Sequence, residues 1–99
     1  VVCAEVEPEA NEWKKKLYLA DCSIACQNIM LAAHEMGIGT CVALSYDKSA
    51  IGEILELPDN IEPMLVVTMG YPAEAPQPPP RFELSKMAFQ ERYGQEWKS

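Results

Sequence analysis

Four cysteines are the side chains of this sequence best suited to nucleophilic, redox or metal chemistry: Cys3, Cys22, Cys26 and Cys41. Such a set can form two disulfides or ligate a metal ion. Cys22 and Cys26 are four residues apart in a predicted helix, whereas a zinc site usually uses more closely spaced cysteines and neighbouring histidines. Since the chain has one histidine, we expect small, buried, reduced thiols and no metal site.

The candidates for acid–base chemistry are one histidine and scattered carboxylates. His34 falls in the last turn of the predicted long helix, where the helix dipole favours a positive charge, and no catalytic partner can be assigned to it. Two of the carboxylates, Asp21 and Asp47, stand where helix caps are expected. Together with Glu35 and Glu53 they form no recognisable pair. The sequence therefore assigns no catalytic residue.

The stretch MGIGT, residues 36–40, has two glycines one residue apart and invites comparison with a phosphate-binding loop. In a dinucleotide-binding fold such glycines follow a strand and open a helix. Gly37 and Gly39 instead follow a helical pattern and precede a strand-like one. We therefore interpret them as the end of a helix and a tight turn.

One basic residue stands apart from the others. Arg81 is the only lysine or arginine between Lys48 and Lys86, and it ends the stretch 75–81, which has four prolines in seven residues. That composition predicts an extended, polyproline-like arm. A guanidinium at the end of a stiff arm can hold a phosphate through two parallel hydrogen bonds. An ordinary surface arginine is the alternative interpretation.

Size and charge exclude several classes of function. With 99 residues and 48% hydrophobic content, the chain has room for a single domain. Its net charge of −7 would repel nucleic acid and an anionic membrane surface alike. The apolar stretches are too short to span a bilayer, and no leader pattern opens the chain. We expect a cytoplasmic protein.

Hydrophobic periodicity predicts alternating strands and helices. We expect the second half of the long helix to be the better packed part, with Asp21 as its possible cap, and we expect helical propensity but no long element over 82–97. This order is typical of an α/β or α+β sheet with helical cover. The five predicted elements are a strand at Val1–Val6, a helix at Trp13–Met36, a strand at Thr40–Ser45, a helix at Asp47–Leu57 and a strand at Ile61–Met69.

The middle of the long helix carries no charge. From Cys22 to Ala33 every residue is apolar, small or neutral, so this helix should be covered on most of its sides. A chain of 99 residues has little else to cover it, so we expect a second subunit or a further segment to do so. The start Val1-Val2-Cys3, directly in a strand, looks like a beginning within a domain.

The order of these segments resembles the FMN-dependent nitroreductase family, and in particular its C-terminal half. The resemblance covers nearly the whole chain and depends mainly on the helix–G-x-G-T–strand unit followed by the L-P-x-N and G-Y-P unit. The stretches that carry it are DCSIACQNIMLAAHEMGIGTCVALSYD at 21–47, EILELPDNIEPMLVVTMGYP at 53–72 and PPPRFELSKMAFQERYG at 78–94.

This resemblance implies an α+β fold: one partial nitroreductase-like domain over 1–99, with 73–99 as a proline-rich arm. It further implies a homodimer that binds FMN and transfers two electrons from NAD(P)H to nitroaromatics, quinones or related small acceptors. By the same resemblance, main-chain groups of Ala43, Leu44 and Ser45 lie beside the flavin ring. Arg81 occupies the position of a residue that holds the FMN phosphate.

Two features of the family pattern are missing from this chain. The family's N-terminal half, with its Arg-Arg-Ser-x-Arg motif, has no counterpart here, and Pro79 stands where some members carry a second basic residue. The alternative function is therefore a non-catalytic dimerising fragment or split subunit without a complete flavin site.

Overall fold

The computed structural model describes residues 1–98, and its elements follow the predicted order. Three strands and two α-helices are followed by an irregular C-terminal segment that contains one short 3₁₀ turn. The elements are β1 (Val2–Glu5), α1 (Glu12–Glu35), β2 (Gly39–Ala43), α2 (Lys48–Ile54), β3 (Ile61–Gly70) and the 3₁₀ turn Leu84–Lys86.

The last strand in the chain, β3, is the central strand of the sheet. The strand order is β1-β3-β2, and both neighbours pair with β3 in antiparallel fashion. Val2 lies opposite Leu65 on one side, and Gly39 lies opposite Gly70 on the other. The antiparallel pairing makes this an α+β fold, which confirms the predicted fold class.

The core lies between α1 and one face of the sheet. Cys22 and Cys26, one helical turn apart on α1, pack against Leu65 of β3, and all three are at most 6% exposed. Their spacing places both thiols on the same side of the helix, as predicted. Partly buried side chains surround this cluster: Val2, Ala4, Met30, Met64 and Val67.

The start of α1 differs from the prediction. Asn11 is the cap: it accepts a hydrogen bond from the backbone N–H of Lys14 through its side-chain oxygen, at 2.9 Å. Asp21 was expected as a possible cap but lies within the helix, because the helix already begins at Glu12, after its cap Asn11.

The end of α1 is the predicted glycine stop. Gly37 adopts a φ of 76°, and two backbone bonds close the turn: Gly37 N–H to His34 C=O at 3.0 Å, and Ile38 N–H to Ala33 C=O at 2.9 Å. This is the Schellman pattern, in which the left-handed residue costs least when it has no side chain. The chain can therefore leave the helix directly into β2.

Helix α2 begins as predicted and ends earlier. Asp47 accepts a hydrogen bond from the Ala50 N–H at 3.0 Å. The helix stops at Ile54 instead of Leu57, because Glu56 takes a left-handed φ of 53° and Leu57 N–H turns back to Gly52 C=O at 2.9 Å. The resulting turn carries the chain into Pro58 and β3.

Beyond β3 the chain forms an exposed arm. Residues 71–83 have no regular secondary structure, in keeping with the prolines. The helical propensity of 82–97 is realised only in the turn Leu84–Lys86, and an isolated bridge joins Phe89 to Glu96. A short helix without a packing face is unstable in water, which explains this difference.

The chain does not cover its own apolar surface. Its accessible area is 8471 Å², whereas a compact protein of its mass exposes about 5,600 Å². Its radius of gyration is 18.0 Å, against about 13 Å for a compact domain of this length. On α1, Ile24 is 65% exposed and Leu31 is 58% exposed. The outer face of α1 is thus open in the single chain.

A tyrosine anchors the loop between β2 and α2 to the sheet. The hydroxyl of Tyr46 donates a hydrogen bond to the carbonyl of Pro63 at 2.9 Å. Burial raises the pKa of Tyr46 above its ordinary value, while the positive charge of Lys48 partly opposes this shift. The loop is therefore held most firmly while the phenol is protonated.

In the part of the chain that the structure describes, neither helix has a stretch of sufficient length and hydrophobicity to cross a membrane.

Replacing the observed cap should cost more stability than replacing the expected one. Asn11→Ala removes the acceptor for Lys14 N–H and should lower the free energy of unfolding by about 1 kcal/mol. Asp21→Ala is the matched control and should leave stability unchanged or slightly raised, because alanine is the better helix former. Urea unfolding followed by circular dichroism measures both, and a larger loss in Asp21→Ala would contradict the assignment.

Ionisation of Tyr46 should weaken the fold at alkaline pH. Since the folded-state pKa lies above the unfolded value, this contribution is complete below the unfolded pKa, about 10, and is lost as pH rises through the folded pKa. The free energy of unfolding should therefore fall less steeply above about pH 10 in Tyr46→Phe than in the unmodified protein. Tyr71→Phe, at a side chain that is 84% exposed, is the control. Identical slopes in all three proteins would show that Tyr46 is not involved.

Candidate functional site

The loop that leaves β2 is the first part of the candidate site. Strand β2 ends at Ala43, which lies opposite Val66, and not at Ser45 as predicted. Leu44 is 67% exposed and Ser45 is also exposed. Asp47, two residues further on, caps α2, so both ends of this short loop are fixed by hydrogen bonds.

The main chain of this loop is available for a ligand. Within residues 1–98, the N–H and C=O groups of Leu44 and Ser45 make no hydrogen bond to another backbone group. Backbone polar groups seek partners, so a rigid, exposed strand exit of this kind suits the edge of a planar heterocycle that carries both donors and acceptors. The flavin ring has such an edge, and these residues therefore fit the group that the sequence resemblance implies.

A cavity adjoins this loop. Its volume is about 500 Å³, within the range usual for small-molecule sites. Leu44 lines it together with Leu19 and Met64, and Tyr18 and Tyr46 supply aromatic surface. Charged residues also contribute to its lining: Glu7, Lys15, Lys48 and Glu62.

Two of those charged residues are paired across the cavity's lining. The Lys48 ammonium lies 2.9 Å from the Glu62 carboxylate, and both side chains are about half exposed. An exposed pair of this kind contributes little to stability. Lys48 on α2 and Glu62 on β3 nevertheless place opposite charges near Tyr46: Lys48 lowers the pKa of the phenol and Glu62 raises it.

Arg81 is the fourth predicted site residue. Arg81 lies exposed on the arm after Pro80 and forms no ion pair with any residue in the described range. The cavity that Leu44 lines contains no residue of the arm. Ala43, Leu44 and Ser45 are consecutive residues at the end of β2, and Arg81 is not among the residues that line the cavity beside them.

The cysteines only partly match the expected burial. All four are free; Cys22 and Cys26 are buried as predicted, whereas Cys3 is half-buried and Cys41 is exposed. Cys41 lies on β2, which is an edge strand, and its side chain has no element packed over it. Residues 1–98 contain no group of three or more cysteine, histidine, aspartate or glutamate side chains suited to a metal ion.

The sequence prediction missed Tyr46 as a structural member of the site. Its signal was present, because an aromatic residue between an exposed strand exit and a helix cap is a natural anchor. Its partner Pro63 lies 17 residues away, and no local pattern identifies that pairing. His34, by contrast, lies exposed at the end of α1, outside the candidate loop.

Comparison with known proteins identifies relatives of the chain. It is 37% identical over 78 residues to a protein of Archaeoglobus fulgidus named as an NADH dehydrogenase/NAD(P)H nitroreductase, and the match covers 75% of this chain and 44% of the relative. It is 32% identical over 65 residues to an FMN reductase (NADPH) of Bacillus subtilis, covering 64% and 26%. The chain thus spans less than half the length of these curated relatives.

Solved structures share the fold. A nitroreductase family protein of Streptococcus pneumoniae superimposes with a TM-score of 0.73 at 28% identity, and the match covers 84% of this chain and 42% of the other. The family model described as the Nitroreductase family matches residues 2–71, which include all three strands, both helices and the loop at Ala43–Ser45. The chain therefore belongs to the nitroreductase family.

Proposed function

We propose that this chain forms part of an FMN-dependent NAD(P)H oxidoreductase that reduces nitroaromatics, quinones or related small acceptors by two-electron transfer. The observation that carries the proposal is the exposed exit of β2, where main-chain groups of Leu44 and Ser45 have no backbone partner. In a member of the nitroreductase family with an FMN reductase among its relatives, a flavin ring is the ligand that best matches this loop.

The proposed roles are positional. Ala43, Leu44 and Ser45 hold the polar edge of the ring through main-chain hydrogen bonds, with the loop fixed by Asp47 on one side and β3 pairing on the other. When bound, FMN supplies the hydride chemistry, so this chain needs no acid–base pair of its own for that step. The cavity beside Leu44 is large enough to admit a small aromatic acceptor.

Arg81 is the proposed ligand of the FMN phosphate. Its guanidinium is exposed and has no acidic partner within the described residues. The chain has fifteen acidic and eight basic residues, so few basic side chains are available to bind a phosphate. The prolines before Arg81 limit the conformational entropy lost when its side chain binds.

The proposed assembly is a homodimer centred on α1. The area excess described above amounts to roughly 2,900 Å² for one chain, well beyond the roughly 800 Å² that each partner buries in a standard interface. Exposed side chains of α1, such as Ile24 and Leu31, mark the uncovered surface. The chain would then represent the C-terminal half of the family's fold. Its four free cysteines suit a reducing compartment, the cytoplasm.

A non-catalytic dimerising fragment or split subunit is the second candidate function. The observation in its favour is that the segment carrying Arg81 contributes no residue to the cavity beside the loop at Ala43–Ser45. Such a chain would keep the α1 interface and the arm but would lack the groups that retain a flavin.

The full-length protein should purify yellow, lose its colour on addition of NAD(P)H, and bind FMN through Arg81. Arg81→Ala should raise the FMN dissociation constant about ten- to a hundredfold, since it removes a charge-assisted hydrogen bond. Arg81→Lys should recover part of the affinity, because an ammonium keeps the charge but lacks the planar fork. Fluorescence titration of FMN at fixed ionic strength measures all three proteins.

Arg92→Ala is the matched control, because Arg92 is also an exposed arginine of the C-terminal segment. It should bind FMN as the unmodified protein does. A colourless dimer that takes up no FMN would favour the second candidate function. Equal dissociation constants for the Arg81 variants in a yellow protein would instead remove Arg81 from the site and leave the oxidoreductase assignment in place.

The dimer interface can be tested on α1 without touching the core. Ile24→Asp and Leu31→Asp place a charge on exposed positions and should convert the dimer to a monomer, because burying an unpaired carboxylate is costly. Light scattering coupled to gel filtration measures the mass. Ile54→Asp, at a residue of α2 that is 74% exposed, should remain dimeric. A folded monomer of the unmodified protein would contradict the proposal.

A further inference from the structure

A second cavity, separate from the one beside Leu44, lies between β1 and α1. Its volume is about 420 Å³, and two cysteines line it from opposite elements, Cys3 on β1 and Cys22 on α1. Tyr18, Asp21 and Ala25 of α1 complete that side of the lining. Neither cysteine belongs to the loop at Ala43–Ser45, so the proposed function leaves this thiol pair unexplained.

The sheet register brings the two cysteines into one neighbourhood. Val2 lies opposite Leu65 on β3, and Leu65 packs against Cys22 in the core. Cys3, the next residue of β1, lies opposite Pro63, and the pairing shifts register between Val2 and Cys3. The start of β1 is therefore fixed beside the turn of α1 that carries Cys22.

The two thiols have different access to solvent. Cys22 is 6% exposed, whereas Cys3 is half-buried and can be approached through the cavity. Burial raises the pKa of the Cys22 thiol, and negative charge on Cys3 and Asp21 raises it further. A buried, largely protonated thiol reacts slowly with reagents in solution, so the partner open to Cys22 is the sulfur of Cys3, which lines the same cavity.

We propose that Cys3 and Cys22 are an oxidative modification site: a peroxide-responsive thiol pair that closes a disulfide between β1 and α1. The Cys3 thiolate attacks one oxygen of a hydroperoxide, the O–O bond breaks, and water or an alcohol leaves, so that Cys3 becomes a sulfenic acid. The Cys22 thiolate then attacks the Cys3 sulfur; the S–S bond forms and the S–O bond breaks, releasing water. Two thiols lose two electrons and two protons, and the hydroperoxide is reduced.

The other cysteines are poorly placed for this bridge. Cys26 follows Cys22 by one turn of the same helix, so their Cα–Cβ bonds run nearly parallel and do not converge. Cys41 lies on β2, on the far side of β3 from β1. Within residues 1–98 no group of three or more ligating side chains is suited to a metal ion, so metal capture does not compete at this cavity.

The bridge would tie the first strand to the helix that covers it. A disulfide between Cys3 and Cys22 would enclose the loop at 6–11 and the first turns of α1. The ion pair between Glu7 of this loop and Lys14 of α1 lies within the enclosed segment. Since disulfides restrict the unfolded chain, oxidation would hold β1 in place and resist its release from β3. A reducing thiol would reverse the oxidation by cleaving the disulfide.

Peptide mapping of the purified protein after treatment with equimolar hydrogen peroxide tests the proposal. Trypsin cleaves after Lys14 and Lys16 and so separates Cys3 from the other three cysteines, which share the fragment 17–48. We expect the fragment 1–14 linked to 17–48, with the loss of two hydrogen atoms. Tandem fragmentation should place the link at Cys22, and dithiothreitol should remove it.

Two variants complete the experiment. Cys3→Ser should abolish the cross-link, and Cys41→Ser, the matched control, should leave it unchanged. A link from Cys3 to Cys26 or Cys41, a link between Cys22 and Cys26, a bond between two chains, or a sulfinic acid on Cys3 without a cross-link would each overturn the proposal. Recovery of Cys3 and Cys22 as free thiols after the peroxide treatment would also overturn it. Peptide mapping of the protein without substitutions decides the question even if a variant fails to fold.

Discussion

The hydrogen bonding of β3 along both of its edges is the interaction on which the rest of this structure depends. Its residues 61–65 pair with β1 along one edge and its residues 66–70 pair with β2 along the other, and α1 and α2 both pack against it. Leu65, at 4% exposure, is where the sheet meets the core. A polar substitution at Leu65 would therefore disturb the pairing with β1 and the contact with α1 together, since core polar groups without partners are costly.

The same arrangement explains why much of the chain's surface is open. One face of the sheet is covered by α1, but the outer side of α1 is open and Arg81 lies on an exposed segment. The groups proposed to bind the cofactor consequently lie in exposed parts of the chain: the loop after β2 at one sheet edge, and Arg81 on the C-terminal segment. A cofactor held by both needs surfaces beyond this single chain, which agrees with the limited share of its relatives that the chain spans.

Features set by neighbouring residues were predictable from sequence. Gly37 ends α1 and Asp47 starts α2 as expected, because each acts through hydrogen bonds to groups within four residues. The cap at Asn11 was missed because the lysines after it oppose the helix dipole and suggested a later start. The position of Leu44 and Ser45 at an exposed strand exit followed the resemblance, although the strand ends two residues earlier.

Features set by distant residues were not predictable. Cys22 and Cys26 are buried and Cys41 is exposed, although the sequence offers no sign of this difference. Cys41 is exposed because it lies on β2, an edge strand of the sheet. The meeting of Cys3 with Cys22 depends on the register of β1 against β3. The segment 82–97 shows the converse case, because its helical propensity finds no surface to pack on and yields a single 3₁₀ turn.

The pairing of Val2 with Leu65 has a consequence for the way the chain folds during synthesis. Strand β1 leaves the ribosome before β3, and its hydrogen-bonding partner Leu65 emerges more than sixty residues later, a delay of roughly 3–12 s at typical elongation rates of about 5–20 residues per second. During that interval α1, whose hydrogen bonds are local, can already form, while β1 still lacks its partner strand β3. Closing this long loop is therefore expected to be a late folding step, and the nascent chain is most vulnerable to aggregation just before β3 appears.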